Sequence, residues 1–213
     1  MAVILSGCGN KDGTELHESI LILLYLDQLK IPVQCLAPNV TQKQVVNHLT
    51  GEVTNEIRNA LVESARIARG NVENIAQVDP EDYCGMIFPG GCGAGTNLSS
   101  FLLDGINYHV QKNVIQFAQS IARAKKPAGF ICLSPSLIPA IYGNKVNMTL
   151  GQDPIYVEQM QQLGCQHTAC APTDVVVDLE YKVVSTAAYM SACSIAEVAL
   201  GIEKLVQVIV GML

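Results

Sequence analysis

Short segments that are apolar throughout alternate along this chain with longer segments in which apolar residues recur every three or four positions. This alternation predicts buried strands separated by amphipathic helices. We predict strands at residues 2–5, 31–36, 83–88, 128–131, 146–150, 174–178 and 182–185, the last two as a hairpin. We predict helices at about residues 15–29, 55–69, 110–124 and 191–211. Strands without a polar face are typical of a parallel sheet covered on both sides, so the expected fold is α/β: a doubly wound, mostly parallel sheet with helices on both faces.

Length and composition predict a single domain over residues 1–213. Hydrophobic residues make up 49% of the chain and charged residues 15%, and no repeat, linker or low-complexity segment divides it. In doubly wound sheets the functional site forms beyond the carboxyl ends of the strands. The loops at residues 6–14 and 89–97, and the segment that follows residue 131, are therefore the places to look for chemistry.

The charge distribution excludes several classes of partner. Thirteen basic and nineteen acidic residues give a net charge of −6 without a basic stripe, so we expect neither nucleic acid nor a membrane surface as a partner. The longest apolar runs, residues 20–26 and 205–213, are shorter than the roughly 20 residues of a membrane-spanning helix, and the first residues lack the basic start of a secretory signal. Eight irregularly spaced cysteines indicate core thiols in a reducing compartment. We therefore expect a soluble, cytoplasmic protein.

Cys132 ends the apolar run 128–131 and is followed by Leu133, Ser134 and Pro135. A strand that passes at once into a small residue and a proline predicts a nucleophile elbow, the sharp strand-to-helix turn that lifts one side chain above the sheet edge. A thiol at a helix N-terminus faces free N–H groups, so we expect the thiolate to be favoured. The alternative is an ordinary buried core cysteine. Its position makes Cys132 the candidate nucleophile.

A glycine-rich loop, Pro89-Gly90-Gly91, follows the predicted strand 83–88. Such a loop is often only a tight turn. Glycine also lets a backbone N–H approach a developing negative charge, so Gly90 and Gly91 are candidates for an oxyanion hole, with the Leu133 N–H as a second donor. A phosphate-binding loop is disfavoured because the glycine run does not end in Gly-Lys-Ser/Thr.

Glu15, His17 and Glu18 open the first predicted helix. Acidic residues in a first helical turn often only complement the helix dipole. A carboxylate beside Cys132 could instead hold the thiol proton or act as a general acid or base. Glu15 and Glu18 share one helical face, so the sequence does not choose between them.

His167 lies between Cys165 and Cys170. It could be a base that reaches Cys132 or a partial metal ligand. The three side chains lack the spacing of a zinc site and a fourth ligand, so we expect no metal. His48 and His109 fall in polar stretches and are expected at the surface.

With these residues assembled, the chain resembles the DJ/PfpI superfamily, which has the class I glutamine amidotransferase-like, flavodoxin-like fold. Within it, the chain is similar to the ElbB group of glyoxalase-like proteins associated with isoprenoid biosynthesis and to their mitochondrial ES-type relatives. The resemblance covers nearly the whole chain and rests on these segments: residues 4–9 (Ile-Leu-Ser-Gly-Cys-Gly), 12–18 (Asp-Gly-Thr-Glu-Leu-His-Glu), 46–51 (Val-Asn-His-Leu-Thr-Gly), 58–59 (Arg-Asn), 63–67 (Glu-Ser-Ala-Arg-Ile), 88–91 (Phe-Pro-Gly-Gly) and 126–132 (Lys-Pro-Ala-Gly-Phe-Ile-Cys).

The resemblance implies a homodimer and a cofactor-free, cysteine-dependent enzyme that converts small reactive aldehydes, glyoxal to glycolate. It implies Cys132 as the nucleophile, a helix-start glutamate beside it, with Glu18 preferred over Glu15, and Gly90-Gly91 as the oxyanion loop. The residue after the cysteine is Leu133 where the peptidase branch has histidine, which disfavours peptidase activity.

Two other functions stay open on the resemblance. Cys92 stands in the glycine loop where an aromatic residue is expected, and with Cys8 it raises the alternative of a redox-responsive regulatory protein that uses an oxidisable Cys132. A glutaminase would need a Cys-His-Glu triad, and the sequence has no His-x-Glu pair near its C-terminus. The glutaminase is therefore the least favoured function.

Overall fold

Strands and helices alternate along most of the chain. The computed structural model describes residues 1–213. The eleven strands are β1 Ala2–Ile4, β2 Gln34–Ala37, β3 Val45–Val46, β4 Val53–Thr54, β5 Val72–Asn74, β6 Met86–Phe88, β7 Ala128–Ile131, β8 Asn147–Met148, β9 Gln166–His167, β10 Val176–Asp178 and β11 Val183–Thr186. The eight α-helices are α1 Leu16–Gln28, α2 Ala60–Ile67, α3 Cys92–Thr96, α4 Phe101–Asp104, α5 Lys112–Arg123, α6 Ile138–Tyr142, α7 Pro154–Gln162 and α8 Ile195–Gly211. Two of the short 3-10 helices, Ser134–Leu137 and Ala188–Met190, lie close to the candidate site.

A seven-stranded sheet with the order β10-β11-β7-β6-β1-β2-β5 forms the centre of the fold. All of its neighbouring strands are parallel except β10 and β11, which form the predicted antiparallel hairpin. The chain builds outward from β1 through β2 to β5, then returns to the other side of β1 with β6. This reversal of strand order confirms the predicted doubly wound sheet and creates a crevice beyond the ends of β1 and β6.

The first and last long helices pack against each other and frame one side of the sheet. Helix α1 begins where the Glu15 side chain accepts a hydrogen bond from the Glu18 N–H. Helix α8 begins with a capping box in which Ser194 and Glu197 satisfy each other's backbone N–H groups. These caps fix the first turn of each helix, and in α1 that turn carries the candidate carboxylates.

The core is densely apolar around β6 and β7. Phe88 and Phe130 are fully buried and stack with ring centroids 5.2 Å apart. Because these residues come directly before the glycine loop and the Cys132 turn, the packed core fixes the two strand ends on which the candidate site is built. The prediction of a single domain over residues 1–213 stays a prediction.

Several sequence-based boundaries were wrong for local reasons. The helix expected from about residue 55 begins at Ala60, because the Asn59 side chain accepts the Leu61 and Val62 N–H groups and caps it there. The polar stretch before it contains the β3–β4 hairpin, and β5, α4 and α7 were missed. None of the helices combines the length and apolar character needed to cross a membrane.

Candidate active site

The turn after β7 holds Cys132 in a strained conformation. Its φ is +61°, a left-handed value that residues with a side chain rarely adopt. Ser134 closes the turn, because its buried hydroxyl accepts a hydrogen bond from the Ile131 N–H at 2.8 Å and lies 2.8 Å from the Phe88 carbonyl oxygen, to which it can donate. The serine therefore ties the turn to both β6 and β7, and the thiol is held above the sheet edge.

The glycine loop after β6 touches both the thiol and helix α1. The Gly90 N–H donates to Glu18 Oε2 at 2.8 Å, and the Gly90 carbonyl accepts from the Glu15 N–H at 3.0 Å. A Cβ on Gly90 would lie 2.7 Å from Glu18 Oε2 and 2.9 Å from Cys132 Sγ. Only glycine lets the loop approach this closely, so Gly90 brings the carboxyl group and the sulfur to one point.

The structure separates the roles expected of the two glycines. The Gly90 N–H is already used by Glu18, so Gly90 is not an oxyanion donor and that part of the prediction is wrong. The N–H groups of Gly91 and Leu133 instead face the sulfur and lower the pKa of Cys132. These two donors have no other partner in the fold, so they are available to stabilise a negative charge beside the sulfur.

The Glu18 side chain is fully buried beneath the thiol. Burial and, after it, the charge of Glu15 raise its pKa from 4.5 to about 8, against the opposing effects of the Gly90 N–H, the Cys132 thiol and the Tyr189 N–H. Its second oxygen, Oε1, is buried without a well-formed hydrogen bond. At neutral pH this carboxyl group therefore carries a proton, and it is poised to exchange that proton with the sulfur.

Burial and the Glu18 charge raise the pKa of Cys132 well above that of a free thiol. The expectation that a helix N-terminus favours the thiolate was wrong, because the thiol is only 7% exposed and the loss of water outweighs the two N–H donors. Since Cys132 and Glu18 are adjacent and both resist ionisation, they titrate as one pair rather than as independent groups.

A cavity of about 210 Å³ opens over the thiol. Its wall is mainly apolar and consists of Asn10, Glu15, Gly91, Cys92, Leu102, Cys132, Leu133, Tyr156, Tyr189 and Met190. Sequence analysis missed Leu102 and Tyr156, because the helices that carry them, α4 and α7, were not predicted. A signal for α7 was present: Asp153 before Pro154 is a helix-start pair, and its side chain caps the helix.

The structure also divides the two glutamates. Glu15 lines the cavity, and its Oε2 accepts the Glu18 N–H at 2.7 Å. Glu18 lies outside the cavity wall, behind the sulfur. The sequence could not choose between them, and the fold gives each a different neighbour: the cavity for Glu15 and the thiol for Glu18.

The other predicted auxiliary residues have different surroundings. Cys92 lines the cavity, and burial raises the pKa of its thiol. Cys8 is half-buried near Glu63 and Arg66 and takes no part in the cavity wall. The expectation of a redox neighbour therefore fits Cys92 by position and does not fit Cys8.

No histidine lines the cavity. Of the two roles considered for His167, a base that reaches Cys132 is ruled out by its position: its Nε2 accepts the Leu150 N–H at 3.1 Å, away from the cavity. His17 is exposed, and its Nδ1 lies 2.7 Å from the Tyr189 hydroxyl at the edge of the cavity. No group of three or more His, Cys, Asp or Glu side chains is arranged to hold a metal ion.

Known proteins share this sequence over nearly its full length. A mitochondrial ES1 protein homolog from Rattus norvegicus is 38% identical over 97% of this chain and 81% of its own length. The mitochondrial glutamine amidotransferase-like class 1 domain-containing protein 3 from Homo sapiens is 36% identical over the same shares. The chain belongs to the ES1 family of glutamine amidotransferase-like class 1 domain proteins. No family model matches it.

Solved structures extend the ES1 family comparison. The chain superposes with a TM-score of 0.92 and 38% identity on a crystal structure from Ehrlichia chaffeensis, described as an isoprenoid biosynthesis protein with an amidotransferase-like domain, over 100% of this chain and 99% of that one. Glyoxalase III from Candida albicans has a TM-score of 0.64 at 14% identity, over 99% of this chain and 95% of that one. The second likeness shows that the fold is shared with this glyoxalase III.

The comparison with ES1 proteins corrects the predicted location. The rat and human relatives are both named as mitochondrial proteins, which overturns the cytoplasmic location expected from composition and the absence of a recognised signal. Amino-acid composition indicates whether a chain can fold as a water-soluble domain, and proteins of several compartments share that composition.

Proposed function

We propose that this protein is a cofactor-free, glyoxalase-like enzyme that converts glyoxal to glycolate with Cys132 as its nucleophile, and that it is of the ElbB type. The observation that carries the proposal is one cluster: the Cys132 thiol at the base of a cavity, with the Gly91 and Leu133 N–H groups facing it and the Glu18 carboxyl group beside it. The Ehrlichia protein, described with isoprenoid biosynthesis, and the fold shared with a glyoxalase III support it.

The first step forms a bond between sulfur and carbon. The thiol of Cys132 adds to one aldehyde carbon, Glu18 takes the thiol proton, and the new oxyanion accepts hydrogen bonds from Gly91 and Leu133 before it is protonated to a hemithioacetal. This step needs the Cys132–Glu18 pair to have lost one proton beforehand. The pKa of about 8 for Glu18 sets the pH at which that loss occurs.

The second and third steps move a proton and add water. Glu15, which lines the cavity, removes the proton from the sulfur-bearing carbon and the neighbouring carbon is reprotonated, which gives a glycolyl thioester. Water then attacks the thioester, releases glycolate and restores the thiol. In sum one glyoxal and one water become one glycolic acid, and no external oxidant or reductant is consumed.

The cavity favours small neutral substrates. Its volume is about 210 Å³, its walls are mainly apolar, and its one lining carboxylate, Glu15, disfavours a bound anion. We therefore expect glyoxal and methylglyoxal to be substrates. Glyoxylate has a carboxylate in place of one aldehyde group and should be a poor substrate.

The test is glycolate formation by purified Cys132→Ala and by a matched control, Cys35→Ala. Cys35 is equally well buried, at 5% exposure, and lies within β2 away from the cavity. We expect Cys132→Ala to lose about a thousandfold or more in kcat/KM while its circular dichroism is unchanged, and Cys35→Ala to keep its activity. Equal activity in the two variants would overturn the proposal.

The redox alternative is less well supported. Cys132 and Cys92 line the same cavity, but burial raises the pKa of both thiols and oxidation proceeds through the thiolate. Peptide mass spectrometry after mild peroxide treatment discriminates the two functions. A Cys132–Cys92 disulfide formed ahead of oxidation at the exposed Cys84 and Cys193 would favour the redox function.

The homodimer implied by the family resemblance is also a proposal. Helix α1 presents a stripe of exposed apolar side chains, with Leu16 at 41%, Ile20 at 50% and Leu24 at 45% exposure. Homodimer interfaces bury surfaces of this kind. Light scattering should give twice the chain mass for the wild type and a smaller value for Ile20→Glu.

A further inference from the structure

Tyr189 makes three contacts that connect the cavity, the carboxyl pair and the protein surface. Its ring is half-buried and forms part of the cavity wall over Cys132. Its backbone N–H faces the Glu18 carboxyl group. Its hydroxyl lies 2.7 Å from Nδ1 of His17, the residue that precedes Glu18 in α1.

The backbone that carries this side chain is fixed and strained. Ala188 is fully buried with a φ of +41°, a conformation that costs energy for a residue with a side chain. The turn is tied to the site at its start, where the Thr186 carbonyl accepts the Cys132 N–H at 3.0 Å. It is closed on itself by two further bonds, because the Ala188 carbonyl accepts N–H groups from Ser191 at 3.0 Å and Ala192 at 2.8 Å.

The ring itself is held much less firmly than its backbone. Tyr189 is partly exposed, and the only hydrogen bond that its hydroxyl makes is the one to His17, whose ring centroid lies 5.8 Å away. His17 is exposed and belongs to a different element, α1, so it positions the ring from outside the cavity. A side chain with a rigid backbone and one restraining bond can swing by a change of rotamer without disturbing the thiol below.

We propose that Tyr189 is the specificity-determining residue of this site, limiting the size of molecule that reaches Cys132, and that His17 is its positioning residue. A second tyrosine in the cavity wall offers a contrast. Tyr156 also lines the cavity, but its hydroxyl has no partner in the protein. The His17–Tyr189 pair is thus the one tyrosine contact through which the first turn of α1 restrains the cavity wall.

This inference rests on the proposed function only in taking Cys132 as the reactive group, so its test does not require glyoxal turnover. We would measure alkylation of Cys132 by iodoacetamide, which is small, and by N-pyrenylmaleimide, which is bulkier than the cavity, with peptide mass spectrometry to assign each modified cysteine. The variants are Tyr189→Phe, His17→Ala and their combination. Tyr156→Phe is the matched control, and Cys35 in the same samples reports any general opening of the fold.

We expect wild-type Cys132 to react with iodoacetamide and to resist the bulky maleimide. Each single variant should raise the maleimide rate about three- to tenfold, the effect of losing one hydrogen bond, with less than about a twofold change in the iodoacetamide rate. The double variant should match the single ones, because both remove the same bond. Tyr156→Phe and the Cys35 rates should not change.

Three results would overturn the proposal: unchanged maleimide rates in both single variants, effects that multiply in the double variant, or an equal increase in Tyr156→Phe. Cys132 that resists even iodoacetamide would overturn it together with the proposed nucleophile. If glyoxal conversion is absent while the alkylation pattern holds, the proposed reaction fails and the role of Tyr189 stands. If glyoxal is converted and the variants do not change the maleimide rate, only the proposed role of Tyr189 is rejected.

Discussion

Cys132 and Cys35 are both buried cysteines of the central sheet region, one directly after a parallel strand and one within a parallel strand, and they differ in what surrounds the sulfur. Cys35 lies within β2, where burial alone raises its pKa to about 11. Cys132 lies just beyond β7, where two backbone N–H groups and a buried carboxyl group face the sulfur and a cavity opens above it. Burial by itself gives an unreactive thiol. The polar groups that meet at a strand end are what allow a buried thiol to act as a nucleophile.

The largest effect is expected when Cys132 loses its carboxyl neighbour. Glu18→Gln removes the proton acceptor and keeps the shape of the side chain. We expect kcat/KM for glyoxal to fall about a hundred- to a thousandfold, the range for loss of a general base. Glu63→Gln is the matched control, since Glu63 is also a buried carboxylate but is paired with Arg58 and Arg66 away from the cavity. Comparable losses of kcat/KM in the two variants would show that removing any buried carboxylate lowers activity, and that Glu18 has no specific role at the sulfur.

The pH dependence of the wild type tests the same pair without mutation. Because the pKa of Glu18 is about 8, the pair holds its extra proton below that value and loses it above. The rate of glyoxal consumption should therefore rise about fiftyfold from pH 6 to pH 8 and level off above pH 8. A rate that is flat across this range, measured in buffers of matched ionic strength, would contradict the coupling of Glu18 to the sulfur.

The stability of the fold should respond in the opposite direction. The pKa of Glu18 rises from 4.5 to about 8 on folding, so the folded chain holds a proton that the unfolded chain releases. The contribution of this group to stability is complete below pH 4.5 and is lost as the pH rises through 8. Glu18→Gln should thus raise the free energy of unfolding at pH 7 by about 3 kcal/mol, with a smaller effect at pH 5.

Urea denaturation at the two pH values gives this difference. Glu63→Gln again serves as the comparison and should lower stability, since it leaves the two arginines without their shared partner. A loss of stability in both variants would mean that Glu18 supports the fold rather than straining it.

The smallest effect is expected at the inert cysteine. Cys35→Ala removes one buried sulfur from the core and should cost about 1 kcal/mol in the free energy of unfolding, with less than about a twofold change in activity. Thermal unfolding and steady-state kinetics measure the two quantities. Loss of activity with unchanged stability would show that Cys35 takes part in the reaction, and the two cysteines would then no longer differ in function.

Features encoded in neighbouring residues were predictable from the sequence. The Cys132 turn follows from a strand that runs directly into a small residue and a proline. The start of α1 follows from the Asp12-Gly13-Thr14-Glu15 segment. The sheet follows from apolar runs of strand length separated by helical spacing. Each signal lies within about ten residues and depends little on the rest of the fold.

What the sequence could not provide depends on how distant segments meet. Glu15 and Glu18 were indistinguishable on one helical face, and only the contact of Gly90 with Glu18 separates them. The position of His167 could not be foreseen because its partner, the Leu150 N–H, lies 17 residues earlier in the chain and no local pattern links the two. The charge state of Cys132 was misjudged because the local helix start was visible and the depth of burial was not.

The central claim is that the Cys132 sulfur bonds to the substrate, and the most direct measurement is to trap that bond. A reaction with glyoxal is quenched in acid within its first turnovers, and the peptides are examined for a glycolyl thioester, identified by its cleavage with hydroxylamine to the hydroxamate. We predict the thioester on Cys132 in the wild type, its absence from Cys35, and its loss in Glu15→Gln, in which the reaction would stop at the hemithioacetal. Glycolate production without any hydroxylamine-sensitive adduct on Cys132 would contradict it.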